Sequence, residues 1–283
     1  MDRKAIAKET LDIMKQGYYK IKPVENQVSV QTEINIKQDM EQSVKDSILI
    51  TPAEAEELLE KYKETYSCQA HQPQLNIQVE NISTTDAIRK LVLEGKEKIG
   101  VLNFASAKNP GGGFLNGARA QEESLAASST LYKTLICHEE YYRENRAYNS
   151  MIYTNYAIYS PDVVFFRDGR FRLAEPVKAS VLTLPAVNMG QVILKGEDAE
   201  MARHAMKQRM KLALAIFASQ GAKNLVLGAY GCGVFRNNPK DIAAWWKELL
   251  LDTEMGKYFN SVFHAVLDYS KEQKYIGAFQ EVF

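Results

Sequence analysis

Cysteine is scarce in this chain. Its three cysteines, Cys68, Cys137 and Cys232, are an odd number at wide spacing in 283 residues. That argues against a disulfide framework and suits a reducing compartment. Long apolar runs are missing too. Stretches such as Val181–Val187 fall far short of the roughly 20 residues that a bilayer span needs. Met1–Ile6 lead into charged residues and not into an apolar segment, so the expectation is a cytoplasmic chain with no secretory leader. An excess of one charge is also absent. Lys+Arg and Asp+Glu are both 35, which leaves no dedicated nucleic-acid or membrane surface as the main partner. Histidine is sparse: Cys68-x-x-His71 looks like half a zinc site, but His138, His204 and His264 are scattered and supply no second half. No metal and no cofactor are therefore expected. Repeats, low-complexity tracts and an obvious linker are likewise missing.

The composition itself is ordinary for a globular chain, with 46% apolar and 25% charged residues, enough for a sizeable core. Up to about Ser67 the pattern reads as mainly helical. Ala5–Gln16 is amphipathic, with Ile6, Leu11 and Met14 on one face. Thr51-Pro52-Ala53-Glu54 opens a helix, with Thr51 as cap, Pro52 in the first turn and Glu54 closing the box. Between them, Lys20–Ile50 reads as loops with one or two strands, Gln27–Gln31 among the alternating runs.

From Pro73 the rhythm becomes strand–helix alternation. Strands are expected at Leu75–Val79, Ile99–Phe104, Val181–Pro185, Asn224–Gly228 and Val262–Leu267. Helices are expected at Ser83–Leu93, about Glu122–Leu135 and about Pro239–Leu251. A long helix between the third and fourth strands carries Ala202, Met206, Met210, Ala213 and Phe217 on one face. Trp245 and Trp246, adjacent in a helix, point to different faces, one toward the core. This alternation implies an α/β sheet covered by helices on both sides. The division expected is a helical accessory region at 1–67 and a catalytic domain at 68–283.

Ligands of open α/β sheets sit beyond the carboxyl ends of the strands. Two glycine loops lie there. One is Asn109-Pro110-Gly111-Gly112-Gly113, after the Ile99–Phe104 strand. The other is Gly228-Ala229-Tyr230-Gly231-Cys232-Gly233-Val234-Phe235, after the Asn224–Gly228 strand and leading into a helix. Glycines alone make tight turns. Two such loops on different strands suggest instead a diphosphate clasped from both sides by backbone N–H groups. Neither loop fits a standard nucleotide motif. Gly228-x-x-Gly231-x-Gly233 reverses the dinucleotide spacing, and no phosphate loop with its lysine is present. Seven residues after the triple glycine stand Gln121-Glu122-Glu123. Acids favour a helix start for electrostatic reasons alone. Beside a phosphate loop, like charge raises a carboxyl pKa and the helix N-terminus lowers it, so the sequence does not settle the sum. A raised carboxyl suits glycosidic cleavage, which needs a group to protonate a leaving oxygen and then activate water.

The run Val101–Gly113, seven residues, then Gln121-Glu122-Glu123 resembles the signature of poly(ADP-ribose) glycohydrolases, the microbial branch in particular. Tyr156–Pro161, Phe165–Asp168, Leu184–Asn188 and Gly231–Asn237 resemble that family as well. The likeness runs well from about Leu75 onward and only loosely before it. It implies a macrodomain-like α/β/α sandwich around a mixed sheet, plus the mainly helical N-terminal accessory region. It also implies metal-independent hydrolysis of poly(ADP-ribose) to ADP-ribose. Glu123 would be the acid/base and Glu122 would orient the distal ribose. Asn103 or Asn109, with Gln121 and Gly111, Gly112 and Gly113, would contact ribose and diphosphate. Gly231, Cys232, Gly233, Val234 and Phe235 would wrap the diphosphate, Phe235 lying near the distal ribose. Adenine would be read at Asn81–Thr85. Alternatives are a hydrolase of single ADP-ribose units on protein or nucleic acid, and a module that binds ADP-ribose without cutting it. The two acids argue against the pure reader, which has no use for them.

Overall fold

A computed structural model describes residues 2–21, 32–66 and 75–283. Seven strands form the main sheet: β3 (Ile48–Ile50), β4 (Asn76–Glu80), β5 (Ile99–Ala105), β6 (Ala157–Arg167), β7 (Leu173–Pro185), β8 (Asn224–Leu227) and β9 (Ser261–Ala265), in the order β3-β6-β7-β5-β8-β9-β4. The pairs β7–β5, β5–β8, β8–β9 and β9–β4 are parallel, whereas β6 runs antiparallel to both neighbours. The sheet is thus mixed. A second, two-stranded sheet of β1 (Tyr18–Ile21) and β2 (Thr32–Asn35) packs on it through Tyr19, whose ring meets Phe166 and whose hydroxyl donates to Ala174 O at 2.7 Å.

Helices cover both faces. The period-2 alternation of β5 explains the two layers: Ile99 and Val101 face one core, Leu102 the other. The first core is closed by α4 (Thr84–Leu93), α5 (Gln121–Ser128), α6 (Leu131–Leu135) and α7 (Glu139–Ala147). The second is closed by α3 (Pro52–Tyr66), α8 (Met189–Leu194), α9 (Ala199–Ser219), α10 (Pro239–Lys247) and α11 (Lys274–Gln280). Ala202, Met206, Met210, Ala213 and Phe217 are all fully buried on α9, as their helical spacing implies; each large side chain contributes roughly 1.5–3 kcal/mol. Trp246 is in the core and Trp245 is half-buried beneath Arg203.

The N-terminal part is woven into the same body. Strand β3 is an edge of the main sheet, α1 (Arg3–Gln16) packs on α5 and α3 packs on α9. The buried Thr10 hydroxyl donates to the Ala127 carbonyl of α5 at 2.6 Å. The expected boundary at residue 67 falls outside the described residues, as do Gln27–Gln31, Cys68 and His71. Thr51 and Glu54 form their box, Glu54 Oε2 accepting from Thr51 N at 2.8 Å.

Several expectations need correction. Leu11 is exposed; the buried stripe of α1 is Ile6, Ala7, Thr10, Ile13 and Met14. The segment read as loops and strands holds a helix, α2 (Lys37–Asp46), of which only Met40 and Ser43 are buried, too few positions for a helical stripe. The helix expected over Glu122–Leu135 is two helices. Ser129 is extended and bridges Phe165, and Thr130 N donates to Val164 O at 3.0 Å, so contact with β6 interrupts it. Strand β7 begins at Leu173, well before Val181, because its first half pairs only with β6.

Candidate active site

The carboxyl end of β5 leads through Ser106 into the Asn109–Gly113 turn. Gly111 and Gly112 take φ of +65° and +59°, a conformation that costs other residues about 1–2 kcal/mol. The connector then returns to Gln121, which opens α5. The three residues of Gln121-Glu122-Glu123 occupy the first turn of that helix and point in three directions. Gln121 faces the sheet. Its Oε1 accepts from Phe104 N at 2.9 Å, and its Nε2 donates to Leu102 O at 2.9 Å and to Thr84 Oγ1 at 3.3 Å. Beyond Val101 strand β8 no longer pairs with β5, so this amide continues the ladder and docks α5 on the strand.

Glu122 is 3% exposed. Its Oε2 accepts from Ser106 N at 2.7 Å and its Oε1 from Asn103 Nδ2 at 3.2 Å. Burial pushes its carboxyl up to about 8, against those donors, and the neighbouring Glu123 adds to the rise. Between burial and the helix terminus, burial wins at this residue. Glu123 is half-buried. Its Oε1 accepts from Gly113 N at 2.9 Å and its Oε2 from Ala120 N at 3.2 Å, so two backbone donors aim it across the turn.

The triple glycine does something other than expected. Gly111 N faces Glu122, Gly112 N donates to Asn109 O and Gly113 N to Glu123. Their N–H groups are engaged within the protein and are not free for an anion. What the glycines supply is closeness, since the bare Gly112 backbone lies against both carboxylates. Asn103 is fully buried, donating to Glu122 and to Thr183 Oγ1 at 3.1 Å, with its Oδ1 unpartnered among the described residues. It orients Glu122 from inside. Asn109 is exposed at the turn.

The second loop offers the free donors. Among the described residues no group accepts from the N–H of Gly233, Val234 or Phe235. Three consecutive backbone donors are thus unused by the protein itself, the kind of group an anion-binding turn requires. Val234 is 78% exposed. Cys232 is different: its N–H donates to Ala229 O at 3.1 Å, its side chain is buried, and burial pushes its thiol well up. Gly231, at φ +72°, is clasped by Asn237, whose Nδ2 donates to Gly231 O at 3.0 Å and to Val187 O at 2.8 Å. The loop does not run straight into α10; Arg236, Asn237 and the cap Asn238 intervene. The Phe235 ring lies 6.0 Å from that of Tyr153. At the other end, Asn81 exchanges two 2.9 Å bonds with the backbone of Asp268, and Ser83 caps α4. Tyr153, whose ring meets Phe235, carried no sequence signal, since it lies in no motif. Among the described residues no three His, Cys, Asp or Glu side chains gather as a cation site, and no helix is long and apolar enough to cross a membrane.

A family model described as the microbial-type PARG catalytic domain matches residues 7–168, from α1 to the end of β6. The chain belongs to that family. Solved structures of the family extend the likeness over the whole chain. The poly(ADP-ribose) glycohydrolase of Thermomonospora curvata is 34% identical, with 99% of each chain covered and a TM-score of 0.89. The same enzyme bound to the inhibitor ADP-HPD matches over 99% of each chain at a TM-score of 0.87. The poly(ADP-ribose) glycohydrolase of Deinococcus radiodurans in complex with ADP-ribose is 38% identical, covering 86% of this chain and 96% of its own, with a TM-score of 0.79. No curated protein sequence matches. The likeness to the Thermomonospora glycohydrolase therefore includes the N-terminal part, which sequence reasoning matched only loosely.

Proposed function

We propose that this chain hydrolyses the ribose–ribose glycosidic bond of poly(ADP-ribose) and releases ADP-ribose. The observation that carries the reading is the pair Glu122 and Glu123 in the first turn of α5, pressed against the Gly112 backbone. In this reading the diphosphate rests on the N–H groups of Gly233, Val234 and Phe235. The distal ribose lies between Phe235 and the two acids, its hydroxyls meeting Glu122 and Asn109. Adenine lies toward Asn81–Thr85. Glu123 protonates the leaving ribose oxygen as the bond from the anomeric carbon breaks, and nearby diphosphate oxygens balance the positive charge that develops there. Glu123 then takes a proton from water, whose oxygen bonds to the same carbon. Gln121 and Asn103 hold the acids in place. The substrate polymer is carried on modified macromolecules, and the free thiols of Cys137 and Cys232 fit a reducing, cytoplasmic setting.

The test is direct. The protein incubated with poly(ADP-ribose) should release ADP-ribose. Glu123→Gln, which keeps the shape and one of the two accepting oxygens but not the acidic proton, should turn over roughly 10²-fold more slowly or worse, with ADP-ribose binding retained. Near-normal turnover by the variant would overturn the assignment.

A further inference from the structure

Arg209 is a cation buried in the core. It sits in the middle of α9, between Met206 and Met210, and is 2% exposed. No carboxylate pairs with it among the described residues. A buried charge is tolerated only when its polar atoms are satisfied. Here they are. Nη1 donates to Ile152 O at 2.7 Å and to Pro185 O at 3.0 Å. Nη2 donates to Tyr153 O at 3.1 Å and to Asn155 Oδ1 at 3.1 Å, and Nε donates to Asn155 Oδ1 at 3.2 Å. All five N–H groups of the guanidinium are used. A lysine has three donors and no planar fork, so it cannot replace this set.

The carbonyls so gathered belong to two segments that meet beside Phe235. Pro185 ends β7, and the chain continues through Asn188 into α8, where Gly190 N donates to Phe235 O at 3.0 Å. The other segment carries Tyr153. It is held at φ +60°, a left-handed conformation that a tyrosine adopts only when its surroundings impose it. Its ring packs against Phe235. Asn188 N also donates to Met151 O at 3.0 Å, lacing the two segments together. Phe235 is thus gripped by its ring on one side and by its carbonyl on the other, and Arg209 ties both grips at one point.

We infer that Arg209 is a positioning residue for the hydrolysis. Through the Tyr153 backbone and the end of β7 it fixes the Phe235 ring, and so the distal ribose, against the acids. The inference rests on the function proposed above, with Phe235 at the distal ribose. The buried guanidinium touches no substrate and moves no proton. Its effect is on geometry, so it is felt in the chemical step more than in substrate capture by the diphosphate loop.

The experiment combines kinetics on poly(ADP-ribose) with amide exchange of the ligand-free protein. Arg209→Lys should lower kcat about 10-fold or more, the scale on which small misplacement of reacting groups is felt, with KM changed less than about threefold. The Gly190 amide should exchange faster as its bond to Phe235 O loosens. Phe235→Ala should lower kcat as well, and adding Arg209→Lys to it should cost nothing further, because both changes remove one arrangement. If Arg209→Lys does not fold, Asn155→Ala, which removes one acceptor and leaves the guanidinium, should give the same pattern more weakly. Unchanged kcat in a folded variant would overturn the inference, and so would losses that multiply in the double variant. A wild-type protein inert on the polymer, with Gly190 exchange still controlled by Arg209, would strike the proposed function and leave the positioning link standing.

Discussion

Gly112 and Glu123 share one space. A side-chain carbon on Gly112, at φ +59°, would lie 2.9 Å from the carboxyl carbon of Glu123 and 3.1 Å from Oε2 of Glu122. The second glycine of the triple is there because the acids are. Gly112→Ala should therefore displace both carboxylates and add the cost of a left-handed alanine, about 1–2 kcal/mol. Turnover of poly(ADP-ribose) should fall on the order of 10²-fold, the cost of an ångström-scale shift at the chemistry. Steady-state kinetics beside thermal unfolding would decide the matter; a variant that keeps its activity would show the two acids to be movable.

Glu122 should make stability fall as pH rises. In the folded chain its carboxyl keeps a proton up to about 8, while in the unfolded chain it titrates near 4.5. Between those values the unfolded state has lost a proton that the folded state still holds. Each pH unit in that window then costs up to about 1.4 kcal/mol. Glu122→Gln cannot ionise. The stability of wild type minus that of the variant should decline from pH 5 to pH 8 in denaturant titrations and be flat below 4.5. A difference independent of pH would show that Glu122 is ionised in the fold.

His264 should act in the opposite sense on the acid side. It is buried on β9, stacked 4.6 Å from the Phe283 ring and near Phe279 and Trp246, with neither ring nitrogen bonded to a described residue. Burial lowers its pKa from 6.5 to about 3. Stability is fully present above pH 6.5 and is lost as the unfolded chain takes up a proton that the folded chain refuses. Compared with His264→Phe, the wild type should lose ground steadily below pH 6.5, by up to about 1.4 kcal/mol per unit. Parallel curves for the two proteins down to pH 4 would contradict this.

Metal removal should leave the reaction intact. The proposed steps use carboxylates and backbone donors alone, so poly(ADP-ribose) should still be converted to ADP-ribose in excess EDTA. Loss of turnover on chelation, restored by magnesium, would reject the acid/base scheme. AMP-containing fragments among the products would show that the diphosphate is the bond cut.

Local rules made much of the molecule legible. Thr51 and Glu54 announce their helix because a capping box is a short-range exchange of hydrogen bonds. The apolar run at β5 and the helical stripe of α9 announce burial by their periods. The triple glycine and the acid pair stand out in the sequence, and they meet because only a bare backbone fits against the two carboxylates. What stayed hidden depends on contacts distant in the chain. Ser129 breaks a helix that local propensity would continue, because it bridges β6. Helix α2 buries two residues and so leaves no stripe.

The sequence by itself determined the α/β class and the presence of two glycine loops and an acid pair at a helix start, since all of these follow from periods and spacings within about a dozen residues. Only the tertiary structure decided how those parts are used. It engaged the triple-glycine N–H groups within the protein and left those of Gly233, Val234 and Phe235 without an acceptor among the described residues. It buried Glu122 and so raised its carboxyl, and it placed Arg209 beneath Tyr153, 56 residues away along the chain. Burial and the pairing of distant polar groups are properties of the packed whole, and no local pattern records them.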